Sequence, residues 1–426
     1  MAATPHSNLT EPMAPAEIVV SDPVRVGGVK PFVLYRVTSR QFDDREVSVL
    51  RRYSDFDWLL ERLRSDHKDC VVPPLPPKQL VGALEDDFIE SRRRGLQRFL
   101  SRVAGHPKLS LNTDFELFMT ATPEHCDFSE IRRMTGGLAS IDDGLHWLGE
   151  KAVQLFRATK TRTTEAMAGM VGAKVLDDDP YEERLRRAVL LEGLYKRHAM
   201  LARSTVQRSL TSAAALLALG QSLSQFGRAE EDEDLAVVCV DLGNALVAVA
   251  GVNRVSAERD AELFEEPLAE AAGMAEAIRI AFENRRELKL DYLEAYVRFR
   301  QKEEEIEGLD LYGPSFTDSL NPEIARKAKE ADLKDLVLAE QRLKKKLGVQ
   351  SKLISSDVIA AETSLTQEAS ERVVDYAQRK VVETSKFITL TITNRSLVAL
   401  RPGPRSWVTS LHPQTLCDRD DGYWSL

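Results

Sequence analysis

Arg51-Arg52-Tyr53, Lys78 and the run Arg92-Arg93-Arg94 place cations and a phenol ring within the first hundred residues. An arginine fork meets two phosphate oxygens at once, and lysine follows a phosphate as a mobile point charge. A phosphate-bearing anion is therefore the ligand these residue types could hold. Each also has a plainer reading. Arg51 and Arg52 can be a solvated strand end, Tyr53 a half-buried core residue, Lys78 a loop charge and Arg92 a helix-surface cation. Arg51, Arg93 and Arg94 are read as surface charges.

Catalytic chemistry finds no foothold. The sequence has no GxxxxGK[ST], no GxGxxG and no GxSxG, and His125-Cys126 is an adjacent pair unsuited to joint metal ligation. Cys70, Cys126, Cys239 and Cys417 are scattered without CxxC spacing, so reduced, cytosolic thiols are expected, with no disulfide framework, metal or cofactor. A net charge of −9 disfavours bulk nucleic-acid binding. The N-terminus lacks the pattern of a signal peptide, and no apolar run is expected to reach the roughly 20 residues that span a bilayer. Any membrane contact is then expected to be peripheral.

The elements that would position these cations can be read from patterning. Residues 1–15, rich in Pro and Ala, are expected to be disordered. EIVV, PFVLYRV and EVSVLRRY are short β-branched and aromatic runs separated by Gly, Asp and Arg, which predicts a three-stranded antiparallel meander. A helix capped by Ser54 or Asp55 follows, with Phe56, Leu59, Leu60 and Leu63 on one face. VVPPLPPK has four prolines in five positions and must be extended. A second helix over about 86–104 turns Phe88, Leu96, Phe99, Leu100 and Val103 inward and Arg92, Arg93, Arg94 and Arg98 largely outward. A short helix near 113–121 closes an α+β unit.

Beyond Pro123 the pattern is helical. Tyr181, Leu185, Ala188, Leu191, Tyr195, Ala199, Ala202, Val206, Leu210, Ala213 and Leu217 recur at about 3.6 residues, one straight apolar stripe. A second helix is expected over about 233–306, where Pro267 either bends it or divides it. A third starts with Asn321 as cap and Pro322 in its first turn. Helices of this length suit an elongated antiparallel bundle. From Phe387, FITLTIT favours strand over helix.

RRYSDF, PPLPPK, FIESRR and VAGHP, in this order over residues 16–122, resemble the Phox-homology (PX) domain of the sorting nexins. The resemblance implies a pocket for phosphatidylinositol 3-phosphate. In it Arg52 grips the 3-phosphate, Tyr53 stacks under the inositol ring, Lys78 meets the 1-phosphate and Arg92 binds ring hydroxyls. Leu80, Val81 and Leu84 would dip into the membrane. Helical length, order and FEEPL at 264–268 resemble the BAR domain that follows PX in one branch of the family. That implies a dimerising, all-α three-helix bundle over 179–395, with Lys327, Lys329, Lys334, Arg342, Lys344, Lys345 and Lys346 as membrane-facing candidates.

The linker at 123–178 contains GLHWLGEKAVQLFRATKTR. Written as a helix, it gathers Leu145, Leu148, Ala152, Leu155 and Phe156 on one face, suited to a lipid interface or to the first turns of the bundle. Residues 396–426 form a tail atypical of the family. The implied protein is a non-enzymatic one on the cytosolic face of early endosomes that senses or induces curvature. It would pair as a homo- or heterodimer with a sorting nexin and work with retromer-like or autophagy-related trafficking components. The alternative is a PX-tethered coiled-coil adaptor that leaves membranes unshaped.

Overall fold

The computed structural model describes residues 18–28, 31–40, 46–77, 85–121, 128, 130–131, 164, 166, 180–312 and 322–399. Strands β1 (Ile18–Val26), β2 (Phe32–Arg40) and β3 (Glu46–Arg52) form an antiparallel sheet in that order, the expected meander. Alternation sends Ile18, Val20, Val33, Tyr35, Val37 and Val49 inward. The register pairs Tyr35 with Arg51 and Leu34 with Arg52.

β3 passes directly into α1 (Tyr53–Asp66). The N-cap is Arg52 rather than Ser54 or Asp55, because the helix starts where the strand ends and both residues are already inside its first turn. Asp55 instead reaches back, and its carboxylate accepts the Arg52 backbone N–H at 2.9 Å. Phe56, Leu59, Leu60 and Leu63 are buried as their spacing predicts, and Trp58 joins them. Helix α2 (Asp86–Gly105), a 3-10 turn at Leu109–Leu111 and α3 (Thr113–Thr120) close the layer over the sheet. Asn112 caps α3 by accepting the N–H groups of Asp114 and Phe115.

The helical region consists of α4 (Pro180–Ala229), α5 (Glu233–Asp260), α6 (Glu266–Tyr312) and α7 (Pro322–Ala399). The apolar stripe on α4 is buried at Leu185, Ala188, Ala202, Val206 and Ala213, while Leu217 is exposed. α4 and α5 form a hairpin so close that a Cβ on Gly220 would stand 2.6 Å from the Gly243 carbonyl.

Pro267 does not divide its helix. A π-helical segment, Ala261–Glu265, joins α5 to α6, and the Glu266 N–H bonds to the Ala261 carbonyl five residues back. A proline ring strikes the carbonyl four residues earlier in an α-helix, and that carbonyl, Leu263, lies in the widened turn. The FITLTIT expectation is also corrected, because α7 runs unbroken through it to Ala399. β-branched residues cost only about half a kcal/mol each in a helix. Propagating an existing helix is much cheaper than nucleating a new element.

The apolar-run expectation needs revision as well. Within Glu233–Gly308 one 18-residue window has mean hydropathy 2.1 and is only 11% buried. It coincides with LAVVCVDLGNALVAVAGV, residues 235–252.

Candidate functional site

Tyr53 is the point where the strand end, the proline segment and α2 meet. Its hydroxyl donates to the Pro76 carbonyl at 2.7 Å. The Arg92 guanidinium lies 4.5 Å from the centre of its ring and 4.4 Å from that of Phe88, so the cation is held between two aromatic faces. Burial pushes the Tyr53 phenol well above its ordinary range, so it stays neutral and keeps its donor.

Arg92 was expected to point largely outward, yet it is 9% exposed. Its Nε is buried and has no hydrogen-bond partner. Beneath it, the fully buried Tyr35 hydroxyl also lacks a partner of normal geometry. Burial raises the Tyr35 phenol, and the neighbouring Arg92 charge opposes that rise. A buried polar group without a partner is expensive, so Arg92 and Tyr35 mark this corner as a candidate polar site.

Arg52, at the edge of the same corner, is a third exposed. Its guanidinium lies 5.7 Å from the Phe32 ring, and its Nε stands 3.5 Å from the Asp55 carboxylate. Burial raises the Asp55 carboxyl, against the Arg52 backbone N–H that it accepts. Lys78, Leu80, Val81 and Leu84 lie outside the described residues, as do the stretch 145–162 and the tail beyond residue 399. The structure thus brings Tyr53 and Arg92 together beside Pro76, with Arg52 immediately before Tyr53 at the end of β3.

The reading of Arg51, Arg93 and Arg94 as surface charges is wrong. Arg51 is 2% exposed. It donates to the carbonyls of Leu50, Phe118 and Ala121 and lies over the rings of Phe118 and Phe128. The strand period explains it: Val49 and Arg51 share the inward face, so Arg52 is the one left at the edge. Burial lowers the Arg51 pKa to about 10. Arg93 clamps Glu90 and the Val20 carbonyl.

Arg94 makes two bonds to Glu266 at the start of α6, at 3.1 and 2.6 Å. Arg98 pairs with Glu270, and Arg102 bridges Glu270 and Glu368, each at 2.8 Å. One face of α2 therefore holds the candidate pocket, and its Arg94/Arg98/Arg102 stripe seats the α+β unit on the helices. Of the basic residues on α7, Lys327, Lys334, Arg342, Lys344, Lys345 and Lys346 are exposed. Lys329 is spent on Glu305 at 2.8 Å.

Cys70, His106 and Asp357 also converge, as do His67, Asp69 and Cys70. His106 Nδ1 accepts the N–H groups of Lys108 and Leu109, which leaves the proton on Nε2, directed at Asp357 at 2.9 Å. That nitrogen has no lone pair for a metal. Burial, with Asp69 and Asp357 close by, pushes the Cys70 thiol to about 12. The His106–Asp357 pair is thus tied into the fold by hydrogen bonds.

Sequence reasoning passed over Tyr35 and Gly95, and gave Phe88 a core role rather than a place against Arg92. Tyr35 was signalled by the inward alternation of FVLYRV, which buries a phenol that needs a partner. Gly95 was signalled by standing inside a helix, where glycine is costly unless something comes close. A Cβ there would meet Pro76 at 2.8 Å.

Residues 39–122 match the PX domain family. Sorting nexin-7 of Mus musculus is 44% identical over 120 residues, which cover 26% of this chain and 30% of that protein. The chain thus matches less than a third of that relative's length. Sorting nexin 1 of Arabidopsis thaliana is 28% identical over 281 residues, covering 63% of this chain and 66% of its own. The cryo-EM structure of the SNX-BAR Mvp1 tetramer aligns with 87% of this chain and 99% of its own at TM-score 0.50. At 19% identity, that is a likeness of fold. The chain thus carries a PX domain, is similar in sequence to sorting nexins and shares its fold with an SNX-BAR structure.

Proposed function

We propose that the chain binds phosphatidylinositol 3-phosphate through Arg52, Tyr53, Lys78 and Arg92, and works as a dimer peripherally on the cytosolic face of early endosomes in protein sorting. The observation that carries this reading is the buried Arg92 guanidinium, stacked on Tyr53 with its Nε unpartnered. A cation desolvated to this degree needs a polar ligand, and inositol hydroxyls beside a phosphate supply one. Arg52, partly exposed at the rim, meets the 3-phosphate as a fork.

Dimerisation through the helices is supported by the α4–α5 hairpin. Phe226, Leu235, Val237, Val238, Leu242 and Val255 are all exposed there, and exposed apolar patches mark interaction surfaces. Asp241 interrupts the apolar stretch, and Glu230, Glu231, Asp232, Glu233 and Asp234 occupy the hairpin's turn, which a bilayer core would not accept. We therefore read this surface as a protein contact. Two lipid pockets on one dimer multiply apparent affinity without any new contact, and each exposed lysine near an anionic leaflet adds about 1 kcal/mol.

Sedimentation with vesicles containing phosphatidylinositol 3-phosphate tests the pocket. Arg52→Ala is expected to abolish binding, and unchanged sedimentation of that variant refutes the assignment. Electron microscopy of the same vesicles separates a curvature-active protein, which draws tubules, from the adaptor alternative, which binds and leaves them round.

A further inference from the structure

Between α1 and α2 the chain is held from two sides. Gln350 on α7 donates through Nε2 to the Lys68 carbonyl at 3.1 Å. Asp357, two turns further along the same face, accepts the Val71 N–H. In extended chain successive side chains oppose one another, and here the alternation divides two cores. Cys70 and Val72 are buried with the PX residues, whereas Val71 is buried with Ala271, Met274 and Ile354 of the helices.

The proline segment continues this arrangement. Pro74 rests on Gly273 of α6, where a Cβ would stand 2.7 Å from the proline's own Cβ. Pro76 rests on Gly95 of α2, and its carbonyl takes the Tyr53 hydroxyl. Arg92 in turn stacks on Tyr53. Proline fixes its own φ, and each residue before a proline is restricted too, so Pro73–Pro77 has little freedom to absorb a displacement. A shift imposed at Pro74 therefore reaches Pro76, the Tyr53 ring and the Arg92 guanidinium.

We propose that the helical bundle braces the head-group pocket from behind, and that Gly273, which meets Pro74 and none of the pocket side chains, is a positioning residue whose missing side chain lets the proline segment seat. This rests on the pocket reading given under Proposed function. Linkage is reciprocal, so an occupied pocket also stabilises the seating of the PX domain on the helices.

The test is calorimetric titration of the full chain with soluble inositol 1,3-bisphosphate, a monovalent probe that removes avidity. Gly273→Ala is expected to weaken binding by about two- to thirty-fold, the range of coupling through packed networks. Its thermal midpoint should hold, since alanine is the better helix former. Gly348→Ala, whose Cβ meets nothing within 4 Å, is expected to leave the affinity unchanged and to hold or raise the thermal midpoint. In a Tyr53→Phe background, which lacks the bond to Pro76, Gly273→Ala should cost markedly less, and full additivity would count against the route.

Wild-type affinity in Gly273→Ala, with Arg52→Ala abolishing binding, overturns the inference and leaves the pocket standing. A wild-type chain that ignores the head group overturns both. Should Gly273→Ala fail to fold, Asp357→Ala frees Val71 without adding bulk. It is expected to weaken binding over the same range, and undiminished affinity there also overturns the inference.

Discussion

The PX core and the α4–α5 hairpin are both rich in apolar residues and use them in opposite ways. In the PX domain Phe56, Trp58, Leu59, Leu63, Leu96, Phe99, Leu100 and Phe118 are all within 1% of complete burial, and even the Arg51 guanidinium is inside. In the hairpin the stretch at 235–252 is more hydrophobic and is mostly in contact with solvent. Sheet and helices form layers that close on each other, whereas a pair of helices can bury one stripe apiece. Apolar content therefore tells how much surface must be covered, and architecture tells whether the chain can cover it alone.

The largest expected effect tests the hairpin half of that contrast. Val238 and Leu242 lie one turn apart and are 60% and 49% exposed. Replacing both by Glu is expected to weaken dimerisation by at least about ten-thousand-fold, since each lost burial costs roughly 1.5–3 kcal/mol and a two-fold interface repeats it. Sedimentation equilibrium reads the mass directly. An unchanged mass would mean that the exposed face is not covered by a second copy.

On the PX side, Arg51→Ala leaves the Phe118 and Ala121 carbonyls without their donor and opens a cavity between two rings. A loss of about 3 kcal/mol in urea unfolding is expected. A neutral result would show that the core closes without its buried cation.

The smallest effect concerns Asp55. Burial raises its folded-state pKa above the unfolded value, so folding binds its proton more tightly. The stability linked to that proton is fully present below the ordinary Asp value and is lost as pH rises through the raised one. Wild type should therefore gain thermal stability relative to Asp55→Asn when pH is lowered from neutrality through that window. A constant difference between the two would show that Asp55 is not desolvated in solution.

Strand alternation, helix spacing and the proline run carried the order of elements, because each is a local pattern with its own period. The cation roles were less legible. RRY reads as three consecutive polar positions, and only the strand register decides that Arg51 goes in while Arg52 stays at the edge. Arg94, Arg98 and Arg102 look like a solvated face until α6 supplies Glu266 and Glu270, partners more than 160 residues away. The FITLTIT expectation failed because propensity is a sum over neighbours, and the helix already formed upstream outweighs it.

The π turn at Ala261–Glu265 carries one more residue than an α-helical path of the same length. Every side chain after it is thus rotated by about 100° about the axis relative to those before it. Leu268, Ala271 and Ala275, buried on α6, all lie beyond that one-residue phase slip. Deleting a single residue from the turn would regularise the backbone and swing all of α6 out of step with its neighbours.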